Sequence, residues 1–395
     1  MMRANPLANR RRLYVDISII ARRDAGTGIQ RVVRALWQAL ESEVSSDFEI
    51  VPVAGSARAR YRRVPHDFLE RPVQRLPWPW GRALPAPRRG DVFLGLDLST
   101  KIVTHNAAQL RDWRHKGVAL AFLVYDLLPL QEPEWFTEEA GAHYDNWLRL
   151  ITREADLLVC ISRTVADELT DWLRAQNAPA PAIRSIRLGA SIAGSRPSRG
   201  LPAEAAEILA WAGSGTCVLM VGTLEPRKGY DQALAAFEAL WAEPKPGEDF
   251  KLLIVGRPGW KTERLQDRLR THGQFGNRLR WIDNASDEYL EQLYAACTGM
   301  LLASRGEGFG LPLVEAAVYT KPVLVRDLPI FREIAPEGVA YFSDDTAAGL
   351  AAALRAWRTS GGPTRISAKD LSWADAAADL RAMLAHAAEG LKRNN

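Results

Sequence analysis

The stretch that most constrains this chain runs from Gly299 to Ala317. Gly299-Met300-Leu301-Leu302-Ala303 is an apolar run of strand length. Ser304-Arg305-Gly306-Glu307-Gly308-Phe309-Gly310-Leu311-Pro312 breaks it with three glycines and a proline, and an Ala-rich run from near Leu313 reads as a helix. Strand, glycine-rich turn and helix start make a geometry that points backbone N–H groups at an anion, with the helix dipole favouring negative charge there. Glu307 falls in the turn and Glu315 about one turn into the helix, so both can face one ligand. Carboxylates accept hydrogen bonds from hydroxyl groups, so the stretch reads as a pocket for phosphate at one end and sugar hydroxyls at the other. Taken alone, it also fits an ordinary strand–helix turn with two solvated glutamates.

The same unit recurs along the chain. Leu13-Tyr14-Val15-Asp16-Ile17-Ser18 reads as a strand, followed by the loop Asp24-Ala25-Gly26-Thr27-Gly28-Ile29-Gln30-Arg31 and a helix from Val32 to Leu40. The loop lacks a full G-x-G-x-x-G, so it is a weak dinucleotide site. Arg31 and Arg34 stand one turn apart on the helix. Further strands read at 91–96, 118–125, 157–161, 184–188, 251–256 and 279–283, with helical patterns between them. Ser286-Asp287-Glu288-Tyr289 looks like a capping box into a helix. This alternation predicts mostly parallel, doubly wound sheets whose functional loops lie beyond the carboxyl ends of the strands. A chain of 395 residues is too long for one core and suits two domains, and the turn-rich run Gly189 to Gly200 marks the linker.

Charge is unevenly divided. Residues 1–200 carry 29 Lys and Arg against 22 Asp and Glu, and the remainder 22 against 25. The positive excess of the first half points to an anionic partner there. It is densest over 56–90, with nine arginines, two acids, six prolines, and Tyr61, Phe68, Trp78 and Trp80. Pro-Trp-Pro-Trp excludes a regular helix interior. The segment reads either as a solvated insertion or as a basic, aromatic loop against anionic lipid headgroups or a lipid-linked acceptor. No nucleic-acid motif accompanies the charge, so no nucleic-acid partner is expected.

Other signals narrow the class. No apolar run approaches the roughly 20 residues of a membrane span, and the Arg-rich start lacks a secretion-signal core. Cys160, Cys217 and Cys297 are isolated in apolar runs and read as buried thiols of a reducing compartment. Six histidines without ligand spacing and the lack of any Asp-x-Asp predict no dedicated metal site.

Glu307-Gly308-Phe309-Gly310-Leu311-Pro312-Leu313-Val314-Glu315-Ala316 resembles the Glu-x7-Glu signature of retaining glycosyltransferases of the GT4 family. The resemblance implies an α/β, GT-B architecture of two Rossmann-like, doubly wound domains facing a cleft. It places an acceptor-side domain at 1–195, a nucleotide-sugar donor domain at 196–370, and a C-terminal helix at 371–395 that crosses back to the first. On the family pattern, Val218 to Tyr230 is the entry to the second domain, with Gly222 at its turn. Arg227 and Lys228 match the basic pair that holds the nucleotide diphosphate. Glu307 would orient the donor sugar, with Gly308, Phe309, Gly310 and Leu311 around it, and Glu315 would take the ribose hydroxyls. Gly28 matches the glycine loop lining the cleft near diphosphate and acceptor. Asp126 would be the acceptor-side carboxylate, or else a helix or turn cap. Many members carry His-Asp there; Tyr125-Asp126 stands here, so no histidine role carries over. Tyr319-Thr320 stands where the family usually has a glycine, which reads as altered helix capping.

The expected activity is that of a retaining, metal-independent hexosyltransferase in bacterial polysaccharide or lipopolysaccharide assembly, with no cofactor beyond its nucleotide-sugar co-substrate. GDP-mannose is the first choice of donor, with dTDP-rhamnose or a UDP-sugar as the alternative, and the acceptor is a saccharide or lipid-linked saccharide. The expected location is cytoplasmic, with peripheral contact at the inner face of the membrane left open for residues 56–90. A non-catalytic, nucleotide-binding partner subunit on the same fold would show broken donor motifs, yet Arg227, Lys228, Glu307 and Glu315 are all present. A sugar-nucleotide epimerase on the same scaffold is the remaining alternative.

Overall fold

Short runs of buried aliphatic residues, alternating with amphipathic helices, build two sheets in the computed structural model, which describes residues 10–42, 47–70, 83–178, 180–192, 199–360 and 371–393. The first sheet contains β1 (Arg11–Asp16), β2 (Phe48–Ser56), β3 (Ala59–Arg63), β4 (Val92–Gly95), β5 (Ala119–Val124), β6 (Leu157–Cys160) and β7 (Ala182–Ser185), in the order β3-β2-β1-β4-β5-β6-β7. Its strands pair in parallel except for β3, which runs antiparallel to β2. The second contains β8 (Thr216–Val221), β9 (Phe250–Val255), β10 (Leu279–Ile282), β11 (Gly299–Leu302), β12 (Val323–Arg326) and β13 (Ala340–Phe342), in the order β10-β9-β8-β11-β12-β13, all parallel. Ala119–Val124 and Phe250–Val255 are buried at every position, as strands covered on both faces must be.

Packing divides the chain into two units, one of Met1–Gln131, Glu138–Gly189 and Ser372–Asn395, the other of Glu132–Thr137 and Ala190–Leu371. The bounds differ from 1–195, 196–370 and 371–395 in three places, the smallest being Leu371, which falls to the second unit. The division falls at Gly189, before the residues 193–198 of the expected linker, which lie outside the described residues. Glu132–Thr137 groups with the second unit because the Trp260 indole N–H donates to the Trp135 carbonyl and the Lys261 ammonium to the Glu134 carbonyl, each at 2.7 Å. The Phe136 ring lies 5.8 Å from that of Trp260. The C-terminal helix Trp373–Arg393 groups with the first unit, where it packs on the helix Gly28–Ser42 and Arg11 pairs with Glu389 at 3.2 Å.

The hairpin of β2 and β3 has no counterpart among the strands expected from sequence, and it corrects the reading of its aromatics. Arg60 and Arg62 are exposed while Tyr61 between them is buried, the period of two of a strand at a sheet edge. Tyr61 stands edge-on to Phe93 with centroids 5.1 Å apart, and Phe68 packs 5.1 Å from Trp37. Both are core residues, not surface ones. Trp78 and Trp80 lie outside the described residues.

Two carboxylates are buried where β1 and β4 end. Asp16 accepts from the Ser18 N–H at 2.9 Å and the Ser18 hydroxyl, from the Ser99 hydroxyl at 2.6 Å and from the Tyr61 hydroxyl at 3.0 Å. Asp97 accepts from the N–H groups of Ile19 at 2.7 Å and Ile20 at 2.8 Å. Burial, helped by the Asp16 charge, pushes the Asp97 carboxyl up to about 7 despite those donors. Burial also raises Asp16. Together the pair fastens the turn that leads into the Gly26–Gly28 loop.

All three cysteines are buried and free, but only in sequence are they all isolated. The thiols of Cys217 and Cys297 meet at 3.7 Å. Ser286 caps the helix Asp287–Ala296 by accepting from the Tyr289 N–H at 3.0 Å. The third helical residue is Tyr289 and not an acid or amide, so the reciprocal half of a capping box is missing.

Candidate functional site

In the second sheet the chain leaves β8 towards β9 and β10, then returns to the other side of β8 for β11. The strand order therefore reverses between β8 and β11, the place where ligands bind beyond the carboxyl ends of such a sheet. The β8 loop starts at Gly222, whose carbonyl accepts from the Tyr230 hydroxyl at 2.7 Å. It then makes a single tight turn, Pro226–Lys228, ended by Gly229 in the left-handed region at φ 69°. A Cβ on Gly229 would press into the Ala303 carbonyl, so the two loops meet backbone to backbone. The Arg305 N–H completes the contact by donating to the Arg227 carbonyl at 2.7 Å.

This approach brings Glu307, Arg227 and Lys228 together. The Lys228 ammonium lies 2.5 Å from one Glu307 oxygen, which also accepts from the Ser304 hydroxyl at 2.7 Å. The Arg227 guanidinium reaches the other oxygen at 3.1 Å, donates to the Gly306 carbonyl at 3.0 Å, and meets the Glu225 carboxylate at 2.8 Å. The side chain of Glu307 is only 8% exposed. Burial opposes its charge, but Lys228, Arg227 and Ser304 outweigh that and hold the carboxyl down at about 2. Two cations thus face two carboxylates. Beside them is a shallow recess lined by Lys228, Tyr230, Ser304, Glu307 and Pro312 among others.

The remaining residues of the turn act through packing. Gly310 sits at φ 88° ahead of the helix Leu311–Val318, and a Cβ there would lie 2.6 Å from the Phe331 ring. Gly308, Phe309 and Leu311 are buried. Arg326, at the end of β12, donates to the Ala303 carbonyl at 3.2 Å and pairs with Asp345 at 2.7 Å, which secures the foot of the turn. Glu315 does not share an open surface with Glu307. It is buried, and accepts from the Tyr294 hydroxyl at 2.6 Å. Its helix ends in a Schellman arrangement, with the Lys321 N–H on the Ala316 carbonyl and the Thr320 N–H on the Ala317 carbonyl, both at 3.1 Å. The cap is intact, but Thr320 takes the left-handed position at φ 51°, a strain of about 1–2 kcal/mol that glycine would avoid.

Gly28 and Asp126 belong to the first unit. Gly28 is exposed and opens the helix Gly28–Ser42. The loop before it is tied by Gln30, which accepts from the Ala25 N–H at 2.6 Å and donates to the Arg23 carbonyl at 2.7 Å. Arg34 is buried against Asp24, its Nε at 3.0 Å, so it braces this loop. Asp126 is half-buried and accepts from the Leu128 N–H at 3.3 Å, capping the short helix Leu128–Gln131. Sequence reasoning missed Glu225, Ser304, Arg326 and Tyr294. Arg326 and Tyr294 act on partners some twenty residues away, whereas Glu225 and Ser304 reach Arg227 and Glu307, two and three residues on, through turns whose side-chain directions spacing alone does not give.

The sequence of residues 203–370 matches the family described as Glycosyl transferases group 1. This segment belongs to that family. The match spans Arg227, Lys228, Glu307 and Glu315, the residues on which the GT4 resemblance rests. The serotype-specific mannosyltransferase WbdA of Escherichia coli is 38% identical over 354 residues, which is 88% of this chain and 41% of that protein. The chain thus spans about two fifths of the length of the WbdA proteins it matches. The O-antigen chain mannosyltransferase B of Escherichia coli is 29% identical over 51% of each chain. Among solved structures, the sucrose-phosphate synthase of Thermosynechococcus elongatus has a TM-score of 0.64 at 16% identity, covering 95% of this chain and 98% of that one. Anabaena HepE in complex with UDP and glucose has a TM-score of 0.58 at 15% identity, covering 98% of both. At such identities the likeness speaks to fold, and the fold is GT-B.

Proposed function

We propose that this chain is a retaining mannosyltransferase that moves mannose from GDP-mannose onto a saccharide or lipid-linked saccharide in the assembly of a bacterial surface polysaccharide. The observation that carries the reading is the Glu307–Arg227–Lys228 cluster where the β8 and β11 loops of a group 1 domain meet. The likeness to proteins described as mannosyltransferases supports the donor choice over dTDP-rhamnose or a UDP-sugar. Arg227 offers a fork and Lys228 a point charge to the donor diphosphate. As the bond from the sugar C1 to the β-phosphate oxygen breaks, these cations and the N-terminus of the helix Leu311–Val318 stabilise the charge gathering on the leaving group. The acceptor oxygen bonds to C1 on the same face and its proton passes to the departing phosphate. Glu307 holds the two cations in register and orients the donor sugar, Glu315 takes the ribose hydroxyls, and Asp126 serves the acceptor side.

Arg227→Ala and Lys228→Ala should each weaken GDP binding about tenfold or more, the loss of a charge-assisted bond worth about 1.5–3 kcal/mol. Guanosine, which lacks the phosphates, should lose far less. Calorimetry with equal losses for both ligands would sink the diphosphate assignment. A donor-hydrolysis panel of GDP-mannose, dTDP-rhamnose and UDP-sugars tests the donor, and turnover with either alternative but not with GDP-mannose would replace it.

The same reading places the protein in the cytoplasm, in peripheral contact with the inner membrane face. Among the described residues no helix is long and apolar enough to cross a membrane. Arg58 in the turn before β3 and Arg60 and Arg62 on β3 are exposed, and near an anionic surface each basic residue adds about 1 kcal/mol of attraction. Replacing Arg58, Arg60, Arg62 and Arg63 with Ser should reduce co-sedimentation with phosphatidylglycerol vesicles at low salt and leave donor hydrolysis intact. Vesicle binding that survives the change would remove the contact from this hairpin.

A further inference from the structure

Glu315 is 2% exposed, and the phenol that holds it belongs to another helix. Tyr294 lies fully buried on Asp287–Ala296 and donates to Glu315 at 2.6 Å. A donor on one oxygen helps to fix the plane of a carboxylate. At 2.6 Å the bond lies at the short end of the range for a hydroxyl donor and an oxygen acceptor, so this is a firm hold. The phenol is held in turn. Its ring stacks on Tyr319, with centroids 5.2 Å apart and planes 6° from parallel. Tyr319 ends the helix Leu311–Val318 and stands four residues beyond Glu315, on the same face one turn on. Carboxylate, phenol and second ring therefore close a loop between two helices.

We propose that Tyr294 and Tyr319 are positioning residues for donor recognition: Tyr294 aims the Glu315 carboxylate at the donor ribose, and Tyr319 keeps Tyr294 in place. The proposal rests on the reading of Glu315 as the ribose-binding residue. It gives Tyr319 a function apart from ending the helix, which the Schellman bonds at Thr320 and Lys321 already do.

The test compares GDP or UDP, whichever the wild-type protein binds more tightly, with its 2′,3′-dideoxy analogue by calorimetry. Wild type should favour the ribonucleotide about tenfold or more, the value of a hydrogen bond between hydroxyl and carboxylate. Tyr294→Phe keeps the ring and loses the hydroxyl, so its preference should fall to about threefold or less while dideoxy binding stays unchanged. Tyr319→Leu keeps the hydroxyl bond and loosens the ring, and should give an intermediate preference. Thr320→Gly changes the helix end without touching the stack and should keep the wild-type preference. A purely structural tyrosine would weaken both ligands alike, and that result in Tyr294→Phe overturns the proposal. So does a wild-type preference undiminished in both tyrosine variants. Should Tyr294→Phe not fold, Tyr319→Leu decides on its own. A wild-type protein that binds neither nucleotide, or does not discriminate, overturns the reading of Glu315 and the proposal with it.

Discussion

Glu307→Gln should lower transfer by about 10²-fold or more while leaving nucleotide binding intact or tighter. The carboxylate takes Lys228 on one oxygen and Arg227 on the other, with Ser304 beside it. Glutamine keeps the shape but offers one acceptor and turns an amide N–H₂ towards a cation. Both cations stay at the site, less neutralised, so a diphosphate is still attracted; what goes is their register with the reacting carbon. The expected signature is a fall in kcat without a matching rise in the Kd for GDP. A folded variant with near-normal kcat removes Glu307 from the mechanism. A parallel loss of GDP affinity would mean that the cluster had collapsed. Because the native carboxyl sits at about 2, below the ordinary 4.5, its contribution to stability is complete above about pH 4.5 and is lost as pH falls towards 2. An acid limb of activity near neutrality would therefore come from another group.

What the sequence made legible was whatever is local along the chain. A strand, a glycine turn and a helix start within some twenty residues can be read from apolar runs and breakers, and so could the turn at Glu307 and the Arg227-Lys228 pair. Pairings across the fold could not. Nothing near Glu307 in sequence says that it takes cations 79 and 80 residues away, nor does anything near Glu315 point to Tyr294, 21 residues back. The hairpin of β2 and β3 was hidden for a different reason: the many arginines and prolines over 56–90 masked an alternation only five residues long, Ala59–Arg63, and with it the burial of Tyr61. Arg34 shows the limit of reading charge by type. It belongs to a positive half of the chain, yet its guanidinium is spent on Asp24.

Asp97→Asn should make the protein more stable at pH 8 and change little at pH 4. The native carboxyl titrates near 7 and the unfolded one near its ordinary 3.8. Between those values the folded chain keeps a proton that the unfolded chain releases, so stability falls as pH rises through the window and levels off above about pH 7. At pH 8 the wild type carries a buried charge next to Asp16, whereas asparagine resembles the protonated acid at every pH. Each unit of displacement is worth about 1.4 kcal/mol, so a gain on the order of 2 kcal/mol at pH 8 is expected even after a poorer fit of the amide. The oxygen that accepts from Ile19 and Ile20 is retained in asparagine, so the turn they form should persist. Denaturant unfolding at the two pH values measures the effect. An equal shift at both would show that shape, and not charge, sets the outcome, and a loss at pH 8 would mean that Asp97 is stabilising in its ionised form.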